Sequence, residues 1–264
     1  MIRHIKSTEV PSSLGRGVKA NDDNCTAYDA ATADYRSGAR SFDIRKGIYG
    51  TDVVKRQLKA DQHDKCAFCE AIFDANVAGD VEHYRPKSAV DTDAGRIYPG
   101  YYWLGYNWEN LCYACPDCNS YRKRNWFPLE NEANRARDHH ADITLEQPLL
   151  LDAYGPRDPR AHIAFRGEAA TGLTAAGNAT IDILALGRTA LARDRLQHLR
   201  MLTLVYESVS LFNGDPRPEA IAFLQRARAE LAAAILPGAR FSAAAADHLA
   251  ALDAGENFLP VSEA

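Results

Sequence analysis

Six cysteines stand out in this chain, five of them at spacings suited to holding a metal ion or to redox exchange. Cys66 and Cys69 form one CxxC pair, while Cys112, Cys115 and Cys118 follow one another at three-residue intervals, and Cys25 stands apart. Two CxxC pairs can present four thiolates to one ion from two tight turns, the usual tetrahedral shell of a structural zinc site. Pro116 suits the first turn of a helix. It therefore places Cys115 and Cys118 on a turn-to-helix knuckle as the second pair of ligands, and leaves Cys112 as a packed thiol. A redox CxxC would be expected at a strand end in a βαβ context, which the flanking residues do not offer. Buried cysteine alone would not explain two CxxC units. The separation of the pairs is long for a simple zinc ribbon, so something is inserted between them.

That insertion holds VEHYRPK, residues 81–87, and closes with NLCYACPDCNSYRK, residues 110–123. Glu82 and His83 form an acid–histidine pair on an expected strand. Asn110-Leu111 and Cys118-Asn119 follow in order. Each dipeptide is weak evidence alone, since an EH pair is usually a surface detail; their order between two CxxC pairs is specific. Together they resemble the HNH nuclease family, whose ββα-metal fold carries an acid–histidine pair, then Asn-Leu, then CxxC with a ligand behind it. Two departures are evident. Glu82 stands where aspartate or histidine is more frequent in the family, and Asn119 stands where the final histidine is expected.

The resemblance implies a metal-dependent phosphodiester hydrolase. His83 would be the general base, since a histidine near its ordinary pKa can take a proton from water at neutral pH. Glu82 and Asn119 would give oxygen ligands to a hard divalent cation, Mg²⁺ or Mn²⁺. Asn110 would brace the loop that orients His83. Arg85, Lys87, Arg122 and Lys123 would face the nucleic-acid backbone. Tyr101, Tyr102, Trp103, Tyr106, Trp108, Trp126 and Phe127 could stack on bases, but a small module short of aliphatic residues needs most of them for packing. His139 and His140 bring no cysteine or second ligand pair with them and read as a solvated turn.

The likeness extends further. KCAFCE, VEHYRPK, YYWLGYNWENL, CPDCNSYRKRNWFPL and EQPLLLDAYGPRDPRAHIAF resemble the HNH component of bacterial Septu and retron-associated antiphage systems, over about residues 65–200. That resemblance implies DNA as the foremost target and an ABC-type ATPase partner. The chain has no GxxxxGK[ST] phosphate loop of its own. A zinc-ribbon nucleic-acid-binding module without catalysis, or an adaptor, is the alternative.

Composition and periodicity divide the chain into three parts. Residues 1–60 give an irregular N-terminal arm to about residue 40 and then a helix ending before Cys66; 61–130 form the metal-bearing module; 131–264 form a Pro- and Asp-rich connector and a helical lobe suited to partner docking. Apolar spacing of three and four predicts helices over 174–187, 189–212, 220–236 and 241–255. The expected class is α+β. The chain of 264 residues is 46% hydrophobic and 25% charged, ordinary for a folded protein with a sizeable core. Its net charge of −4 excludes a surface coated for nucleic acid, though not a local basic groove. MIRHIKSTEV lacks the apolar region of a signal peptide, and no apolar run approaches the ~20 residues that span a bilayer. The expectation is a cytoplasmic protein with no membrane association.

Overall fold

A computed structural model describes residues 1–73 and 78–259. Helices dominate the two ends, and three two-stranded antiparallel sheets lie between and beside them. The architecture is α+β, as expected.

The first helix overturns the irregular arm. Residues Gly15–Ala30 form a helix, α1, followed by α2, Thr32–Ser37. The sequence hides α1 because only Gly17 and Tyr28 of its residues are buried. Its two buried residues anchor it. A Cβ on Gly17 would lie 2.3 Å from Cβ of Tyr106, so the helix backbone reaches that loop only without a side chain. Tyr28 stacks on Tyr102 at 5.2 Å between ring centroids, within an aromatic cluster that includes Tyr35 and Phe42. The helix expected before Cys66 is split into α3, Lys46–Tyr49, and α4, Asp52–Asp61. Gly50 ends the first, and the Thr51 hydroxyl caps the second by accepting from the Val54 N–H.

Strand β1, Asp80–His83, pairs with β4, Leu111–Ala114, in a register that sets Glu82 opposite Cys112 and His83 opposite Leu111. A wide-turned π-type helix, Asp117–Lys123, follows β4 at once. The hairpin of β2, Val90–Thr92, and β3, Gly95–Ile97, fills the loop between the paired strands. A second hairpin, β5 Ile163–Arg166 with β6 Ala169–Gly172, went unread in the sequence. Helices α5 Ala175–Leu184, α6 Thr189–Phe212, α7 Pro218–Ala234 and α8 Ser242–Asp253 complete the chain, close to their expected limits.

The segments expected as module and lobe share one core. Cys66, Phe68, Tyr84 and Phe127 are buried in the same cluster as Leu184, Leu199, Phe241 and Ala244. Polar contacts cross the same boundary. Lys65 donates to the carbonyl of Ala239 at 2.9 Å, and the Ser242 hydroxyl donates to Glu70 at 2.7 Å. The helical lobe is therefore part of the scaffold that holds the cysteine turns. No helix among the described residues is long and apolar enough to cross a membrane.

Candidate metal centre and the neighbouring acid–histidine pair

The first cysteine turn is built by backbone bonds. Cys66 N–H donates to Ala71 O at 3.0 Å, Glu70 N–H to Cys66 O at 3.1 Å, and Ala67 N–H to Tyr113 O at 3.0 Å, so the turn hangs on β4. Gln62 locks it from below: its amide donates to Lys65 O and Tyr113 O, and its oxygen accepts from Tyr113 N–H, each at 2.8 Å. The second turn leaves β4 directly, with Asn119 N–H donating to Cys115 O at 3.0 Å at the start of the π-type helix.

These turns converge. The sulfurs of Cys66, Cys69, Cys115 and Cys118 lie within 4.8 Å of one another, and all four residues are buried. Cys69 Sγ and Cys115 Sγ are 3.9 Å apart, close to the ~3.8 Å edge of a tetrahedron with Zn–S bonds of about 2.3 Å. The Cys115 N–H points at Cys66 Sγ at 3.4 Å, and Arg188 approaches Cys118 Sγ at 3.6 Å. Hydrogen bonding from Cys115 and its neighbours holds Cys69 well below the ordinary thiol range, with Arg188 adding to the effect, whereas burial pushes Cys66 up. Four soft donors with a guanidinium beside them could hold a zinc ion. Cys112 lies outside the group: it faces Glu82 across the ladder, fully desolvated, and burial pushes its thiol up. The packed-thiol reading of Cys112 agrees with this placement.

His83 is 2% exposed, with its ring set edge-on to Tyr49 at 4.6 Å. Its Nε2 lies 2.9 Å from Gly105 O. A carbonyl can only accept, so Nε2 carries the proton and Nδ1 keeps its lone pair. Burial, reinforced by the Lys87 charge, holds His83 well below its usual pKa and therefore neutral.

Asn110 is tied to the same loop. Its amide donates to Arg85 O at 3.0 Å and Leu104 O at 3.3 Å, while its oxygen accepts from Arg85 N–H at 2.8 Å. The side chain thus bridges the segment leaving His83 to the residue preceding Gly105, whose carbonyl receives the imidazole.

Lys123 corrects the reading that set it among backbone-facing cations. Its side chain is fully buried, with Nζ 2.7 Å from Glu82 Oε1 and 2.8 Å from His83 O. The π-type helix turns this ammonium inward onto the acid–histidine pair, so no phosphate of a duplex reaches it in this arrangement. Burying such an ion pair is costly unless its remaining donors are satisfied, and a third, longer contact to Arg124 O at 3.5 Å serves that end. Arg85 is also engaged, 3.0 Å from Glu146 and over the ring of Phe127. Lys87 lies over the Tyr49 ring at 5.0 Å, half-buried beside the pair. Arg122 is exposed, and Asn119 is half-buried on the helix that carries Lys123.

Most of the aromatics pack, as expected: Tyr101, Tyr102, Tyr106, Trp108 and Phe127 are buried, and Trp103 and Trp126 are partly so. The solvated-turn reading of His139 and His140 is incomplete, because Asp29 of α1 lies 2.9 Å from His140 Nε2 and 3.4 Å from His139 Nε2. The missing signal is α1 itself, without which Asp29 has no reason to be near.

The chain is 34% identical over 174 residues to the Septu protein PtuB of Bacillus mycoides (strain KBAB4), an alignment covering 63% of this chain and 57% of that protein. The chain therefore spans less than two thirds of that relative's length. No family model matches the chain, and no solved structure matches it. The likeness to Septu components expected from the motifs is thus shared with a curated Septu protein over well over half of the chain.

Proposed function

We propose that this chain is a metal-dependent HNH-type endonuclease that cleaves nucleic acid, DNA foremost, within a Septu-type antiphage defence complex. The observation that carries the reading is the clamp on His83. A neutral imidazole is fixed through Nε2 to Gly105, on a loop braced by Asn110, so that Nδ1 keeps its lone pair. Such an Nδ1 takes a proton from a water that attacks the scissile phosphorus, and the departing 3′ oxygen leaves in line. Glu82 and Asn119, both oxygen donors, would hold a Mg²⁺ or Mn²⁺ ion, which supplies charge stabilisation at the phosphate. Lys87, half-buried beside the pair, would add positive charge at the same place, and exposed Arg122 would meet the backbone outside it. The thiol cluster would hold structural zinc at the end of the paired strands where Asp80 meets Ala114.

An ABC-type ATPase partner belongs to the same reading. Met201, Leu204 and Leu211 of α6 and Ile221 of α7 are exposed apolar residues on the helical lobe, a suitable docking face.

Incubating the purified protein with plasmid, with and without Mg²⁺ or Mn²⁺, tests the activity. Cleavage that needs the ion and disappears in His83→Gln supports the proposal, and ion-independent or absent cleavage in the presence of the ATPase partner overturns it. A second reading has one observation in its favour. Glu82 already spends an oxygen on Lys123, as it would in a zinc-stabilised binding module without catalysis. Nucleic-acid binding that persists with no cleavage under any of these conditions would select that reading.

A further inference from the structure

A second group of ligand-type side chains lies on the surface. Asp29, in the last turn of α1, meets His139 and His140 from the connector. His140 Nε2 is 2.9 Å from one carboxylate oxygen and His139 Nε2 is 3.4 Å from the other, so the imidazoles converge on the two sides of one carboxylate. The two rings lie 3.9 Å apart, and the ligand atoms all fall within 4.8 Å of one another.

The arrangement is held from behind. Tyr102, fully buried and stacked on Phe42 at 4.2 Å, places its hydroxyl 2.6 Å from His139 Nδ1. The turn itself is pinned by Asp138, which accepts from Arg36 at 2.8 Å, from the Tyr28 hydroxyl at 3.1 Å and from the His140 N–H at 3.2 Å. Side chains separated by more than a hundred positions therefore meet with both partners' backbones fixed.

We propose that Asp29, His139 and His140 form a second metal site, taking a borderline divalent transition ion such as Zn²⁺. Two imidazole nitrogens and one carboxylate suit zinc, copper, nickel or cobalt, and not Mg²⁺ or Ca²⁺, which prefer an all-oxygen shell. With Nδ1–H of His139 donating to the Tyr102 oxygen, Nε2 keeps its lone pair for the ion, as outer hydrogen bonds orient metal-bound histidines generally. The exposed side of the cluster leaves a position for water. An ion here ties α1 to the connector, two elements that otherwise meet only through side chains.

The thiol cluster and this site differ in donor chemistry, which makes them separable. Full-length protein with zinc in the thiol cluster, freed of loosely held metal by a mild chelator, is titrated with Co²⁺ and followed in the visible and near-ultraviolet. The expected result is saturable binding with weak visible bands and no sulfur-to-metal charge transfer. In an Asp29→Asn/His140→Ala variant those bands are lost, while tightly held zinc and circular dichroism are unchanged. Both side chains are about half exposed or more, 49% and 64%, so the fold does not depend on them. If the double variant is nonetheless unfolded, His140→Ala alone carries the same test. The proposal is overturned by equal cobalt binding in the variant, by charge-transfer bands showing entry into the thiol cluster, or by absence of saturable binding in the parent protein. None of these outcomes depends on nuclease activity.

Discussion

The thiols of Cys66, Cys69, Cys115 and Cys118 sit in residues at most 6% exposed, in a core that reaches α8, whereas the side chains of Asp29 and His140 are 49% and 64% exposed. Among the described residues the first group has itself, the Cys115 N–H and the Arg188 guanidinium for polar company, so an ion there would be part of the folding free energy. The second forms on a surface already fixed by Tyr28, Tyr102 and Arg36, and its residues have water to fall back on. Similar ligand geometry can thus be coupled to the fold or merely added to it, and burial decides which.

The largest consequence concerns the thiols. Structural zinc contributes apparent binding energies of about 10–16 kcal/mol in small metal-folded units, more than the ~5–15 kcal/mol by which a domain is stable. Cys66→Ser or Cys118→Ser should therefore lose zinc and most cooperative unfolding, including that of the helical lobe that shares the core. Elemental analysis with thermal melts checks this. A variant that lacks zinc yet melts as the parent does would break the comparison.

His83 is next. As the proposed base it should be worth about 10²–10⁴ in rate. Because it is 2% exposed, alanine would also leave a void against Tyr49. His83→Gln keeps most of the volume, so its melting temperature should stay near the parent's while cleavage disappears. Equal cleavage under matched Mn²⁺ would dismiss His83 as the base.

Lys123 comes third. Removing one partner of a buried ion pair costs about 3–5 kcal/mol where the remaining charge is fully buried, and Glu82 retains 12% of its side-chain exposure, which favours the lower end. Lys123→Met should melt lower than the parent, and added Mn²⁺ should recover more of the loss than it adds to the parent, because the freed carboxylate oxygen then faces the ion. Unchanged stability without metal would show the pair to be incidental.

These residues also show what could be read in advance. The cysteine pairs are legible because their members lie within a few residues of one another, and α6 is legible because Leu191, Leu199 and Leu202 repeat at helical spacing on a buried face. Helix α1 is not, since its buried positions are only Gly17 and Tyr28, and the small residues packed beside them, Ala20, Cys25 and Ala27, make no strong apolar stripe. Lys123 sits in an Arg-Lys-Arg run that looks like any solvated face, and only the π-type turn aims it inward. Asp29 is meaningful only once α1 exists.

Asn110 offers a smaller effect on the same buried side of the comparison. Its removal strands the Arg85 N–H, the Arg85 carbonyl and a contact to Leu104. Unsatisfied buried groups cost about 1–3 kcal/mol each, reduced here by water entering the vacated space, so about 2 kcal/mol is expected for Asn110→Ala. Cleavage should fall less than in His83→Gln, since a misoriented imidazole still has the right chemistry. The two variants assayed side by side check the order, and an Asn110→Ala enzyme slower than His83→Gln would mean that Asn110 touches the reaction directly.

The smallest effect belongs to the surface group. An ion that binds only the folded chain stabilises it by RT ln(1 + [L]/Kd), about 1.4 kcal/mol at a tenfold excess over Kd. Adding Zn²⁺ to protein whose thiol cluster is already filled should therefore raise the melting temperature by a few degrees. The increment should grow with the logarithm of free zinc, because nothing in the fold depends on the site beforehand. Asp29→Asn/His140→Ala should melt at nearly the parent's temperature without extra zinc and show no increment with it. Placing these results beside the Cys66→Ser melts sets the two regions on one scale: a site coupled to folding shifts the apo baseline, and a site added to a finished fold shifts only the response to free ion. If that double variant melts far below the parent before any zinc is added, the contact between Asp29 and His140 is itself a pillar of the fold, and the contrast between buried and exposed ligand groups fails.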